Sequence, residues 1–333
     1  MKKRVILVAA LIASVTLTGC AKGSGARAKG SSAKTVNIAI QPSAAFLPLY
    51  VAREKGWIEE ALASSQVKVN WNDFESGPPM NESLAAGTSD IGVIGDVPTV
   101  SSIAAGQKNV IVGVPANGPD AYAVLSAAGS GLRSAKDLKG KKVATVIGST
   151  GHNLIKKILE TNGLTFDDIE LINIGAGDAA AVLATGQVDA VVIWEPNVTR
   201  LVDSGTARII AKGSDTTLRG TNTFIAREAF VKSSPQVISV ILEQFARAVR
   251  ELPVLDEETL SKVAANLALE PEQIKKLLPK YNFAVTVDDT DADALQDTIK
   301  FLVSIDVLSE EYDVRQHIDT SFFENSDAAS YLN

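Results

Sequence analysis

The chain has 333 residues, 46% of them hydrophobic and 21% charged, with 39 acidic against 32 basic side chains for a formal net charge of −7. That length holds about two domains with real cores, and a mean hydropathy of +0.13 excludes a disordered or collagen-like chain. The acidic balance argues against nucleic acid as a partner. One cysteine and two histidines leave little for a metal centre, an iron–sulfur cluster or a disulfide framework.

Lys2, Lys3 and Arg4 precede an apolar run over 5–13. The run is too short to span a bilayer and suits the core of a secretory signal. It closes on Leu17, Thr18, Gly19 and Cys20, the only cysteine. A lone thiol is usually a small buried hydrophobe, but small residues leading into it directly after an export signal resemble a bacterial lipobox. That resemblance implies cleavage before Cys20 and a diacylglycerol on its thiol. Removing residues 1–19 takes three basic groups and no acid, so 32 basic groups become 29 against 39 acidic ones, a net charge of −10. Residues 21–34 carry Lys22, Arg27, Lys29 and Lys34, no acid, and many Gly and Ser. They read as a flexible basic tether of about 20 Å r.m.s. reach, suited to an anionic membrane surface.

From Thr35 onward, β-rich runs alternate with helical patterns, which predicts parallel sheets with crossover helices. Strands are expected over 36–40, 67–74, 91–94 and 110–114, with helices over 49–64, 80–86 and 97–105 between them. The same grammar restarts with strands over 122–126, 141–147, 170–174, 190–194 and 207–211, and helices over 153–161 and 179–185. After 223–226 the chain turns helix-rich, over 235–251, 257–268, 271–278 and 291–305. No period of 20–50 residues repeats, which excludes a solenoid or propeller. Two α/β units followed by a helical return predict two lobes joined by two chain crossings, near 122–126 and 223–227. The cleft between such lobes collects the carboxyl ends of strands and the amino ends of helices, where open α/β sheets bind small ligands.

Four strand-to-helix loops could supply that cleft. The first, 74–80, holds Ser76 and Gly77 with prolines where a first helical turn needs no donor. The second holds Gly95, Asp96 and Val97. The third, 148–152, holds Ser149, Thr150 and His152 and offers hydroxyls with free amides, a setting that favours an anion. In the fourth, an apolar strand ends in Trp194 and Glu195. Each also has a plain reading: Gly-Pro pairs make turns, Ser and Thr cap helices, and His152 is more often structural than catalytic. Asp96 and Glu195 would repel an anion unless they serve as caps or face a cationic part of a ligand.

FESGPPM, LAAGTSDIG and GDVPT, together with PLYVAREKGWIEEAL, DLKGKKVAT, GSTGHN and GQVDAVVIWEP, resemble the substrate-binding proteins of ABC importers in the sulfonate/nitrate/taurine group. The likeness runs from about Thr35 to at least Ser234, and the aliphatic sulfonate branch is the most similar. It implies a two-lobe periplasmic-binding-protein-like α/β fold of type II with two crossings and a helical C-terminal return. The lobes would be 35–122 with 227–333, and 123–226. It also implies a small organic anion as ligand, a membrane permease with its cytoplasmic ATPase as partners, and an extracytoplasmic location. No cofactor, no metal, no covalent chemistry and a monomer are expected. The three loops at 74–80, 95–97 and 149–152 match ligand-facing positions, and so does Gln41 after the first strand. The chain departs from the pattern at Gly-Ser-Thr-Gly-His, at Asn197 and at 223–226, which puts the organic part of the ligand in doubt.

A nicotinamide-dependent oxidoreductase is the rival from another class. Gly175, Gly177 and Ala180 form a Gly-x-Gly-x-x-Ala run after a strand, and Glu195 follows 20 residues after Gly175, where a ribose-binding acid would stand. Export away from cytosolic nicotinamide pools counts against it. A structural or adhesive surface lipoprotein, which would bind no small solute, is a third reading.

Overall fold

The computed structural model describes residues 34–332. In chain order the strands among them are β1 (Thr35–Ile40), β2 (Lys68–Asp73), β3 (Ile91–Gly95), β4 (Asn109–Gly113), β5 (Ala116–Asn117), β6 (Tyr122–Ala127), β7 (Lys142–Thr145), β8 (Glu170–Asn173), β9 (Ala190–Trp194), β10 (Ala207–Lys212), β11 (Asn222–Arg227) and β12 (Asn282–Phe283). They form two five-stranded sheets, ordered β2-β1-β3-β11-β4 and β10-β6-β9-β7-β8, and a small ladder of β12 with β5.

Each large sheet is mixed rather than parallel. β1 runs parallel to β2 and β3, whereas β11 runs antiparallel to β3 and β4. In the second sheet β7 is parallel to β8 and β9, and β6 is antiparallel to β9 and β10. The antiparallel strands arise where the chain crosses: β6 and β11 each follow a crossing and enter their sheet from the opposite end. Alternation of β and α runs carries no sign of that reversal. The second crossing also ends earlier than 223–227. Residues 222–226 lie in β11 of the first sheet, so the expected boundary at 226 is corrected to before Asn222. An apolar run such as Thr223–Phe224–Ile225–Ala226 fits a buried strand of either sheet equally well.

Helix starts follow their caps. Helix Gly77–Ala86 begins at Gly77, three residues before the expected position, because Ser76 is extended and the prolines after Gly77 need no donor. Helix Thr150–Thr161 begins at Thr150 because the Ser149 hydroxyl accepts from the Gly151 N–H at 3.1 Å. The single helix expected over 49–64 is two, Leu47–Glu54 and Trp57–Leu62, broken at Gly56 with φ 66°. Short helices at Asn197–Asp203 and Glu228–Ser233, and those after residue 314, lacked enough turns to show a period.

The first sheet packs under the helices of residues 47–62 and 235–266 around Phe46, Leu49, Ile58, Phe224, Ile241 and Phe245. Its other face is covered by helix Gly77–Ala86 through Met80 and Leu84. Helix Asp96–Ala104 packs against helix Asp289–Ser304 through Val97, Val100, Leu295 and Ile299. The second sheet has its own core around Val124, Leu154, Ile158, Val191 and Ile193. Where the two lobes join, the connecting segments approach closely: a Cβ on Gly118 would lie 2.3 Å from the Lys280 carbonyl oxygen, and one on Gly213 2.3 Å from that of Pro119.

Candidate functional site

The carboxyl ends of β1, β3 and β9 meet the amino ends of helices Gly77–Ala86 and Thr150–Thr161 in a cavity of about 20 Å³. Gln41, Ser43, Gly77, Gly95, Pro98, Tyr122, Ser149, Thr150, Trp194 and Asn222 line it. No wall residue is charged. In this form there is room for about one water molecule, so a small organic anion enters only while the lobes are parted.

Six of the sequence-predicted residues reach this wall: Gln41, Gly77, Gly95, Ser149, Thr150 and Trp194. The Gln41 carboxamide oxygen is buried without a hydrogen-bond partner among the described residues. Turned over, the same group presents an N–H to an anion. The Gly77 and Thr150 N–H groups open their helices and have no partner among the described residues, so each helix offers a donor and the positive end of its dipole. Trp194 closes the far side, its indole N–H donating to the Pro42 carbonyl at 3.3 Å across the lobes.

Five predicted residues do not line the cavity. Asp96 is 3% exposed. It accepts from the Val97 N–H at 2.7 Å, the Thr150 hydroxyl at 2.5 Å and the Thr298 hydroxyl at 2.8 Å. Burial raises its pKa, and these three bonds pull it back down. Val97 is consequently spent as a donor and lies in the core against helix Asp289–Ser304. The Thr150 hydroxyl donates its O–H to Asp96, so an anion on the other side meets the Thr150 N–H and not its O–H. Ser76 is a buried N-cap whose hydroxyl makes no capping bond. Glu195 is fully buried in the seam, ion-paired with Lys280 and accepting from the Thr199 N–H at 2.9 Å and hydroxyl at 3.0 Å. Its oxygens are committed to these partners, and it does not reach the cavity. His152 lies between Phe166 and Phe301, with ring centroids at 5.5 and 5.3 Å, and burial pushes its pKa down to about 4.

Ser43, Pro98, Tyr122 and Asn222 were not singled out by sequence. Strand register explains the last two: Tyr122 pairs with Trp194 and Asn222 with Gly95. Each stands at the amino end of an antiparallel strand, beside the carboxyl end of the strand that carries a predicted residue. Burial raises the Tyr122 pKa, which keeps its phenol a protonated donor. The Asn222 amide donates to the carbonyl oxygens of Gly220 at 3.2 Å and Ala116 at 3.4 Å.

Two neighbouring features bear on rival chemistries. The Gly175–Gly177 loop receives the Glu75 carboxylate, with the Gly177 N–H donating to it at 3.1 Å, and a Cβ on Gly175 would lie 2.6 Å from the same oxygen. A carboxylate thus fills the place where a dinucleotide's pyrophosphate would sit. Behind the Asp96–Thr150 contact lies a larger cavity of about 340 Å³, lined by Asp96, Asn153, Lys157, Arg219, Thr221, Asp297 and Thr298 among others. Its charges are largely paired, Lys157 with Asp297 at 2.6 Å and Arg219 with Asp291 at 2.7 Å. Its polar orphans, the Asn153 carboxamide and Thr221 hydroxyl, suit ordered water better than an anion beside three aspartates.

A binding-protein likeness pervades the comparisons. The chain is 31% identical over 98% of its length, and 97% of the relative's, to a putative aliphatic sulfonates-binding protein of Bacillus subtilis. It superposes with a TM-score of 0.78 at 28% identity on the alkanesulfonate-binding protein SsuA from Xanthomonas axonopodis pv. citri bound to MOPS, covering 86% of this chain and 98% of that one. The desulfurization enzyme DSZB shares the fold alone, at 17% identity and a TM-score of 0.66 over 90% of this chain and all of that one. The family model described as NMT1/THI5 like matches residues 43–252. By that match and the full-length relative, the chain belongs to the NMT1/THI5-like family.

Proposed function

We propose that this protein is the extracytoplasmic solute-binding component of an ABC importer and that its cargo is a small aliphatic sulfonate. The observation that carries the reading is the cleft wall. It is built from both lobes, it is lined by neutral donors and two helix amino ends, and it contains no charged side chain. A sulfonate is a permanent anion that asks for donors and no proton-transfer partner, and helix ends supply them locally within a chain of net charge −7. Sulfonate-binding relatives at 31% and 28% identity support the same cargo class.

Capture proceeds by lobe closure. The anion's oxygens take the Gly77 and Thr150 N–H groups, one from each lobe, with the Gln41 amide and Tyr122 phenol beside them. Trp194 packs against the organic part. A ligand held by both faces shifts the lobes further toward the closed state, and closing strengthens each bond by excluding water. The cargo leaves unchanged, delivered to a permease driven by a cytoplasmic ATPase. Although DSZB has this fold, the wall here carries neither histidine nor cysteine, and the enzyme reading gains no support from it.

A thermal-shift screen across alkanesulfonates, taurine, nitrate and aromatic sulfonates tests the cargo. A ligand at about a hundred times its Kd stabilises by about 2.7 kcal/mol. The reading predicts that shift for short alkanesulfonates, and a flat response to them contradicts it. The chain is further proposed to act as a monomer, anchored through lipid on Cys20. That residue and the basic tether of 21–34 fall almost wholly outside the described residues, so the anchor rests on the lipobox-like run alone. Cys20→Ala is expected to move the protein from the membrane to the soluble fraction, and unchanged membrane association would refute the anchor.

A further inference from the structure

We infer that Asp96 is a positioning residue whose carboxylate latches the two lobes shut, holding the Thr150 hydroxyl of one lobe against Thr298 and Val97 of the other. The inference rests on the closing motion proposed above, and goes beyond it by naming one bond that holds the closed form.

Three helices meet at this one side chain. Asp96 is the first residue of helix Asp96–Ala104, Thr150 opens helix Thr150–Thr161 beside the second sheet, and Thr298 lies on helix Asp289–Ser304, which packs against the first. One carboxylate oxygen accepts from Val97 N–H at 2.7 Å and from Thr150 at 2.5 Å, and the other accepts from Thr298 at 2.8 Å. The Val97 and Thr298 bonds lie within the first lobe and survive opening. Only the Thr150 bond crosses, so closing exchanges a water on Asp96 for the Thr150 hydroxyl. A hydrogen bond to an ionised acceptor is short and strong, and Asp96 is only 3% exposed.

The surroundings are shaped for that approach. A Cβ on Gly95 would lie 2.6 Å from the Thr150 hydroxyl oxygen, so only glycine allows the second lobe this close. The nearby cation, Lys157, is turned to Asp297 and Thr217 and leaves the Asp96 oxygens to the hydroxyls. Asp96 itself never reaches the cavity wall. Its influence on the ligand is through Thr150: with the hydroxyl proton drawn toward Asp96, the Thr150 N–H is fixed as the donor that faces the cleft.

Stopped-flow dissociation of 1-propanesulfonate, followed by tryptophan fluorescence, tests the latch. Asp96→Ala is expected to release ligand about 30-fold faster, the cost of one charge-assisted hydrogen bond, with the association rate changed less than about threefold. Asp96→Asn, which keeps an accepting oxygen, should restore most of the loss. Thr150→Val should match Asp96→Ala, and the two together should be no worse than either, because both remove one bond. Thr150→Ser should rescue. Dissociation within twofold of the parent for folded Asp96→Ala, or additive losses in the pair, would overturn the latch. Should Asp96→Ala fail to fold, the Thr150→Val and Thr150→Ser comparison in the parent and in Asp96→Asn decides the same point. Small-angle scattering without ligand separates this inference from the cargo assignment. A larger radius for Asp96→Ala or Thr150→Val supports the latch even if no sulfonate binds, whereas unchanged radii together with unchanged rates remove it.

Discussion

Glu195 and His152 show how a chemistry-bearing residue can be placed well by sequence and still serve structure. Both follow strand ends or open a helix beside the cleft, and both are turned away from it. Glu195 is buried with the Lys280 ammonium, 85 positions away, and no local pattern announces such a partner. Burying one charge without the other is costly, so the pair holds the seam as a unit. His152 is wedged between Phe166 and Phe301 and stays neutral, its pKa lowered by burial to about 4. The unfolded imidazole titrates near 6.5, so the unfolded state takes up the proton first as pH falls. The contribution of His152 to stability is therefore full above about pH 6.5 and is lost as pH drops toward 4. Urea midpoints at pH 7 and 4.5 check this: His152→Phe should lose less stability on acidification than the parent. An equal loss in both would mean that His152 is not the group responsible. Trp194, by contrast, could be picked out because an aromatic residue at the end of an apolar strand has few other places to point, whereas Gln41 was pointed to by the family resemblance alone.

At the scale of elements, the loops ending β3 and opening helix Thr150–Thr161 carry the site. Gly-Ser-Thr and Gly-Asp-Val are cap-and-turn chemistry that can be read directly, and the structure adds that they face each other. The antiparallel partners of those strands were not legible. Tyr122 and Asn222 begin ordinary-looking β runs, and only the register beside Trp194 and Gly95 brings them to the wall. A reversed strand has the same alternation of side chains as a parallel one. The contact between Gly95 and Thr150 leads to a prediction at this scale. Gly95→Ala adds a methyl that clashes only with the opposite lobe at 2.6 Å. It should weaken ligand binding at least about tenfold, or about 1.4 kcal/mol, by keeping the lobes apart. The urea midpoint of the ligand-free protein should change little, and full affinity in a calorimetric titration of this variant would show that such close approach is not needed.

For the whole molecule, two α/β lobes with a helical return were legible because amphipathic helices and apolar strands alternate over 200 residues. The crossing at β11 was less so, since a buried strand fits either sheet. Net charge needs reading at this scale too. A chain of −7 cannot attract an anion by its overall field, so selectivity has to be local, in a wall with donors and no ions. Such a wall satisfies the acid group of a sulfonate and offers no counter-ion to an ammonium. The most direct test of this account is calorimetric titration of the purified protein with 1-propanesulfonate and with taurine, which differ by a methyl against an ammonium. Desolvating an unpaired ammonium costs several kcal/mol, so 1-propanesulfonate should bind one-to-one and taurine at least about 100-fold more weakly. Equal affinity for the two, or no heat with either, would contradict it.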